Sequence, residues 1–171
     1  MGNEAVTDKP VRNLIEGKPV LVVIDAHKPA FANTSRLIEA AGEAAVTIVF
    51  ACPPRASASK QLAAGSNAYV IRPWRHSIFF GTELPILLKE IGARTLILTG
   101  GETNTSVHYS FVDAHQYDYF CRVAEDCVTG SSPRAHDAAL RAMEYMQTGA
   151  RRKSEELIAA FHGAPDNQAT T

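Results

Sequence analysis

Short continuous apolar runs alternate with segments of helical spacing along this chain, and this alternation limits its fold more than any other feature. The first run, PVLVVI at residues 19–24, is rich in β-branched side chains and ends at Asp25. Such a run is typical of a strand buried on both faces of a parallel sheet. Further strands are predicted at residues 46–51, 68–71, 95–99 and 120–124.

Helical segments fall between these strands. Leucine and isoleucine recur at three- and four-residue steps over residues 84–91, and Gly92 is placed to end that helix. Other helices are predicted at residues 35–45, 103–116, 134–148 and 154–161, whereas residues 55–67 indicate a loop or a weak helix. Because strands and helices alternate, the sequence predicts an α/β protein, a three-layer α/β/α sandwich around a mostly parallel sheet.

Length and charge set the expected organisation and exclude some partners. The chain has 171 residues, which predicts one domain at 19–162, an N-terminal extension at 1–18 and a disordered tail at 163–171. A formal net charge of -1 predicts neither a nucleic-acid nor a membrane-surface partner. The three cysteines lack CxxC spacing, no apolar run reaches roughly 20 residues, and the N-terminus has no apolar leader. These features together predict a cytoplasmic protein.

Polar residues that follow the predicted strands are the candidates for chemistry, because sites in parallel sheets lie at the C-terminal strand ends. Asp25 follows the first strand and can act as a general acid or base, although a loop-bracing or helix-capping role fits equally. Residues 99–106, TGGETNTS, predict a strand, a glycine turn and a helix start. Ser106 would then lie in the first helical turn, where N–H groups can hold a nucleophile and an oxyanion together. A strand-to-helix turn without chemistry is the alternative.

The segment RPWRH at residues 72–76 places two cations, an indole and an imidazole after the third strand. This combination suits an anionic or planar substrate, and a solvated basic loop is the alternative. His27, Asp113 and His115 are possible metal ligands, but a zinc site needs three or more convergent ligands. The GxGxxG and P-loop patterns are both absent, so the sequence predicts no metal and no nucleotide cofactor.

Three sequence blocks share a pattern with a known family. They are VLVVIDAHKPAF at 20–31, RHSIFFGTEL at 75–84 and TLILTGGETNTSV at 95–107, with later matches at Asp113-Ala114, Asp126 and 136–140. In these blocks the chain resembles the isochorismatase-like cysteine hydrolases, which include nicotinamidases, N-carbamoylsarcosine amidohydrolases, ureidoacrylate hydrolases and isochorismatases. The likeness runs from about residue 19 to residue 157. It implies the same fold, hydrolysis of a non-peptide C–N bond in a small molecule, no cofactor, and a homo-oligomer.

The resemblance also implies roles for individual residues. Asp25 matches the family's proton-transferring aspartate, and Ser106 stands where the family has its nucleophilic cysteine. Pro73 occupies the position of the family's lysine, so the preceding Arg72 is the candidate to replace its positive charge. Backbone amides around a non-proline cis peptide would form the oxyanion hole. The residues implied for that hole are Glu102, Thr105 and Ser106, and the implied substrate contacts are Phe31, Trp74, Arg75, His76 and Phe79.

Three explanations for Ser106 stay open. The serine is an engineered replacement of a native cysteine, or the chain is a natural cysteine-free member of the family, or it is a degenerate homologue that binds a ligand without turnover. Isochorismatases illustrate the second case, since they lack the cysteine and use the aspartate to protonate a vinyl ether. A native cysteine codon in the encoding gene would establish the first.

Overall fold

The computed structural model describes residues 13–25, 32–56 and 67–163 of the chain. Its centre is a six-stranded sheet in the order β3-β2-β1-β4-β5-β6, in which every neighbouring pair is parallel. The strands are β1 Lys18–Ile24, β2 Thr47–Ala51, β3 Ala68–Ile71, β4 Ala93–Gly101, β5 Phe120–Thr129 and β6 Arg151–Arg152. The predicted parallel sheet is confirmed.

Helices cover both faces of the sheet. They are α1 Ala32–Glu43, α2 Leu84–Ile91, α3 His108–Gln116, α4 Pro133–Met146 and α5 Ser154–Gly163, and a π-helical turn at Thr103–Val107 leads into α3. The predicted helix over 103–116 therefore begins as a wider turn. Among the described residues, no helix is both long and apolar enough to cross a bilayer.

The alternation of side chains along β1 divides the core into two layers. Val20, Val22 and Ile24 pack with the core residues of α2, α3 and α4, whereas Leu21 and Val23 pack with those of α1 and α5. Successive strand residues point to opposite faces, so a continuous apolar run fits only a strand that helices cover on both sides. The three-layer α/β/α sandwich predicted from the sequence is confirmed.

The register of the central strands places three strand ends side by side. Ile24 of β1 pairs with Ala51 of β2 and with Gly100 of β4. The residues that follow these pairs therefore leave the sheet at one edge. This edge carries the site described below.

Strand β4 extends over Ala93–Gly101, beyond the predicted residues 95–99, and β5 and β6 differ more strongly from the prediction. The two-residue β6 was not predicted, because its only residues, Arg151 and Arg152, form no apolar run and are held by pairing to β5. β5 continues to Thr129, past a register shift against β4, so Asp126 lies within the strand and not beyond its end. Its carboxylate accepts hydrogen bonds from the backbone N–H and the hydroxyl of Ser154, at 2.8 and 2.7 Å.

Residues 13–17, the described part of the predicted extension, lie against the opposite edge of the sheet. The fully buried Arg122 donates from Nε to Leu14 O at 3.0 Å and from Nη2 to Asn13 O at 3.3 Å. Its guanidinium carbon lies 3.8 Å from the ring centroid of Phe120, and burial lowers the pKa of Arg122 to about 10.

Thr95 Oγ1 accepts from Glu16 N and donates to Glu16 O, at 2.8 and 2.7 Å. The limits predicted for extension, domain and tail stay predictions.

Candidate active site

A cleft of about 440 Å³ lies where β1, β2 and β4 end. Its walls come from the segments that follow β1, β2, β3 and β4, as expected for a site on a parallel sheet. The lining residues are Asp25, Pro53, Pro73, Trp74, Arg75, His76, Glu102, Thr105 and Ser106. Among the described residues, the structure thus brings together the sequence-predicted site residues with two exceptions, Arg72 and Phe79.

Asp25 lies directly after the central strand and is half-buried. Its φ of 54° is in the left-handed region, which aspartate adopts more readily than most residues. Its negative charge acts on the Cys52 thiol after the neighbouring strand β2. Burial raises the pKa of that thiol, the positive charge of Arg72 lowers it, and the charge of Asp25 raises it. An acid held in this backbone conformation at the wall of a cleft is placed for proton transfer.

Gly100 allows the two main site segments to approach each other. Its φ is 102°, and a Cβ atom at this position would lie 1.9 Å from the carbonyl oxygen of Ile24. Only glycine fits such an approach. Because Ile24 precedes Asp25 and Gly100 precedes the serine turn, this contact brings the acid and the turn together. The peptide bond Gly101-Glu102 is cis, as the family resemblance implied.

The Ser106 turn, defined here as residues 102–107, is held by its own backbone and by its neighbours. The carbonyl of Glu102 accepts from the N–H groups of Thr105 and Val107, each at 3.1 Å. The Thr105 N–H is therefore directed at Glu102 O and not into the cleft, unlike its role in the implied oxyanion hole. Asn104 and Ser131 exchange side-chain and backbone hydrogen bonds of 2.9 to 3.2 Å, which attaches the turn to the β5–α4 connection.

Arg72 and Phe79 are not among the residues that line the cleft. Arg72 donates from Nη1 to the carbonyls of Ala56 at 2.9 Å and Pro53 at 3.4 Å, so it braces the segment after β2. Phe79 is 5% exposed and stacks on Tyr117, with ring centroids 5.4 Å apart. Phe31 and His27 lie outside the described residues.

The mouth of the cleft is formed by the 72–83 loop, which connects β3 to α2. Trp74 is 65% exposed, and Arg75 and His76 are exposed as well. Arg75 donates to the carbonyl of Trp74 at 3.1 Å, and the His76 ring lies 5.7 Å from that of Tyr109. The cleft therefore offers a cation and planar ring surfaces together with the carboxylates of Asp25 and Glu102.

Sequence reasoning missed the prolines and hydroxyls that shape this site. Pro53 and Pro73 line the cleft, and their positions two residues after the ends of β2 and β3 could have indicated this. Ser77 and Ser110 fasten the 72–83 loop to α3 from buried positions. Sequence spacing gave no signal for those contacts, because they join segments far apart in the chain.

The three cysteines are all fully buried and free. Burial raises the pKa of Cys121 to about 12 and that of Cys127 to about 11, and it raises the pKa of Cys52 as well. A thiol whose pKa is raised in this way is a poor nucleophile at neutral pH. None of the three replaces the missing cysteine at position 106.

The predicted metal-ligand candidates have other partners. Asp113 accepts from the Ser77 hydroxyl, and His115 Nδ1 lies 2.9 Å from Gln147 Nε2. Within residues 13–25, 32–56 and 67–163, no three His, Cys, Asp or Glu side chains cluster as metal ligands would.

A larger cavity of about 1180 Å³ lies at the opposite edge of the sheet, lined by residues 13–19, 43–47 and 160–163. It is remote from the strand ends that carry Asp25 and Ser106.

The sheet order, the acid after β1 and the serine turn after β4 define an isochorismatase-like α/β/α protein. The chain belongs to the isochorismatase family, since its residues 16–152 match the Isochorismatase domain. It is 31% identical over 93 residues to the uncharacterized isochorismatase family protein YaaI of Bacillus subtilis (strain 168), a match that covers 54% of this chain and 51% of YaaI.

A second curated relative and a solved structure give further similarities. The ureidoacrylate amidohydrolase RutB of Methylorubrum extorquens is 37% identical over 71 residues, which are 41% of this chain and 29% of RutB. The crystal structure of an isochorismatase family protein from Desulfovibrio vulgaris has a TM-score of 0.75 at 18% identity, covering 85% of this chain and 98% of that one. The chain thus spans about half the length of YaaI and less than a third of RutB, and shares its fold with the solved structure.

Proposed function

We propose that this chain hydrolyses a small amide-like or ureido C–N bond, with Asp25 and residue 106 as the reacting pair. The observation that carries the proposal is that Asp25 and Ser106 line one cleft at the strand ends of an isochorismatase-family domain. Similarity to the ureidoacrylate amidohydrolase RutB supports the bond type.

In the proposed reaction, Ser106 Oγ attacks the carbonyl carbon of the substrate while the Asp25 carboxylate takes the hydroxyl proton. The C–N bond then breaks, and Asp25 passes that proton to the leaving nitrogen. Water attacks the resulting ester while Asp25 takes a proton from it; the ester C–O bond then breaks, Asp25 returns that proton to Ser106 Oγ, and the acid is released. The N–H groups of Glu102 and Ser106 are the proposed donors to the oxyanion, since that of Thr105 is engaged within the turn.

The positive charge at the site is proposed to come from Arg75. The family's lysine position is Pro73, and Arg72 is absent from the cleft lining, whereas Arg75 is part of it. A guanidinium and an exposed indole that line the same cleft suit a small planar substrate that bears a carboxylate. Such a group would be oriented with its scissile carbonyl toward Ser106.

A serine hydroxyl ionises far less readily than a thiol, so the present chain is expected to be slow and its Ser106→Cys variant fast. The test is a screen of amides, ureides and N-carbamoyl acids that compares both proteins by ammonia release. Ser35→Cys, which adds a thiol on the exposed face of α1 outside the cleft, is the matched control. Activity that appears with Ser106→Cys and not with Ser35→Cys supports the proposal; equal background in all three proteins refutes it.

A second candidate function is favoured by one observation: the described residues that line the cleft include neither a cysteine nor a lysine. Isochorismatase-type cleavage of a vinyl ether needs no cysteine nucleophile, because Asp25 would protonate the substrate before water adds. Turnover of isochorismate by the Ser106 protein, together with no C–N hydrolysis by Ser106→Cys, would favour this function. Binding of a small carboxylate or amide without any turnover would indicate a ligand-binding homologue.

A further inference from the structure

The fully buried hydroxyl of Ser110 joins two segments of the cleft wall. It donates to the carbonyl oxygen of Ser106 at 2.6 Å and accepts from the backbone N–H of Ile78 at 3.2 Å. The first bond is local to the helix, four residues back, and such bonds are common for serine. The second reaches the 72–83 loop, 32 residues away in sequence. One side chain therefore links the backbone of Ser106 to the loop that carries Trp74, Arg75 and His76.

The same loop has a second attachment to α3. Ser77 donates to Asp113 Oδ2 at 2.5 Å, and its oxygen accepts from the N–H of Phe79 at 3.2 Å. Ser110 and Asp113 are three residues apart and lie on one face of α3. The loop would thus stay docked on α3 through Asp113 even without Ser110. Of these two attachments, the Ser110 bridge is the one that includes the backbone of residue 106.

We propose that Ser110 is a positioning residue that fixes Ser106 relative to the substrate-contacting side chains of the 72–83 loop. Removing its hydroxyl leaves the buried N–H of Ile78 without this acceptor, and the loop must shift to find another. A displacement of about 1 Å between reacting groups can lower a rate by up to about a hundredfold. The catalytic readout rests on the proposed function, whereas the thiol readout described below does not.

The test compares Ser110→Ala with Thr95→Val, both made in the Ser106→Cys background. Thr95 is a close counterpart in bonding: its hydroxyl is fully buried, accepts one backbone N–H and donates to one backbone carbonyl, at the opposite edge of the sheet. Both variants should lose similar stability. Only Ser110→Ala should lower kcat/KM, by at least about tenfold, through both kcat and KM, when assayed well below its melting temperature. Ser110→Thr, which keeps the hydroxyl, should restore most of the activity.

A second readout needs no substrate. The thiol introduced by Ser106→Cys faces the cleft, whereas the three native cysteines are fully buried, so iodoacetamide should modify it selectively. Ser110→Ala should move the pH midpoint of alkylation toward the ordinary thiol value of about 8.5, and Thr95→Val should leave it unchanged. If no substrate is found, the proposed function fails while this measurement still tests Ser110. Equal alkylation midpoints in the two variants would overturn the inference, and so would equal losses of kcat/KM.

Discussion

Replacing Gly100 by alanine should be the most destabilising single-methyl change at the site edge of the sheet. The new Cβ would lie 1.9 Å from the carbonyl oxygen of Ile24, where contacts under 3.0 Å essentially never occur. The strands β1 and β4 would therefore have to separate by about 1 Å in a close-packed core. The backbone conformation adds a second cost, because φ is 102° and alanine avoids that region.

Alanine substitutions at two other glycines separate the cost of the steric clash from the cost of the positive φ. At Gly92, φ is 75° but an added Cβ would meet no atom within 4 Å, so Gly92→Ala should lose only about 1 kcal/mol from the backbone. At Gly42, inside α1, nothing lies within 4 Å and φ is not positive, so Gly42→Ala should gain about 0.5–1 kcal/mol. Gly100→Ala combines backbone strain with overpacking and should lose about 4 kcal/mol or more.

Urea unfolding followed by circular dichroism gives the free energy of unfolding of all three variants. The slope of that free energy against urea concentration should be the same for each variant, so that the values can be compared. The expected order of stability is Gly42→Ala above the parent, then Gly92→Ala, then Gly100→Ala. A Gly100→Ala protein as stable as Gly92→Ala would refute the close contact between β1 and β4. The structural account of how the acid and the serine turn meet would then be wrong as well.

Two further predictions concern charged side chains. Hydrogen bonds from Lys153 and Arg151 hold the pKa of Glu125 below its usual 4.5, so its stabilising effect is present above that pH and is lost as the pH falls through the lowered pKa. Glu125→Gln should therefore be less stable than the parent at pH 7 and equally stable near pH 2, which urea titrations at both pH values can check. Arg75→Gln should raise KM for a carboxylate-bearing substrate by about tenfold or more, whereas Arg141→Gln, on the exposed side of α4, should not change it. Equal KM values for the two variants would remove Arg75 from substrate binding.

Most of the fold could be predicted because its signals are local. The apolar run that became β1 carries its own evidence for burial on both faces, and Val20 and Leu21 do pack into opposite layers. The strand β6 has no such signal, since its two half-buried arginines form no apolar run and pair with the distant β5. The register shift that carries β5 past Asp126 is a feature of its pairing with β4, so the β5 segment alone carries no signal for it.

The sequence predicted that the site lies at the C-terminal ends of the strands, but it did not predict in which direction each side chain points. Position after a strand identified Asp25 and Ser106, which share the cleft. It did not reveal that Arg72 turns to the carbonyls of Pro53 and Ala56, or that Phe79 turns inward onto Tyr117. These directions depend on partners between 16 and 38 positions away in the chain, so a pattern read along one segment cannot contain them.

The central claim, that Asp25 and residue 106 form a hydrolytic pair, is tested most directly by the rate of C–N hydrolysis in two variants. One carries Ser106→Cys alone, and the other adds Asp25→Asn to it. The account predicts that Ser106→Cys releases ammonia from at least one small amide or ureide, and that Asp25→Asn lowers that rate by about a hundredfold or more, since an amide cannot take up and return the proton. Undiminished hydrolysis after Asp25→Asn, in a protein that remains folded, would contradict it.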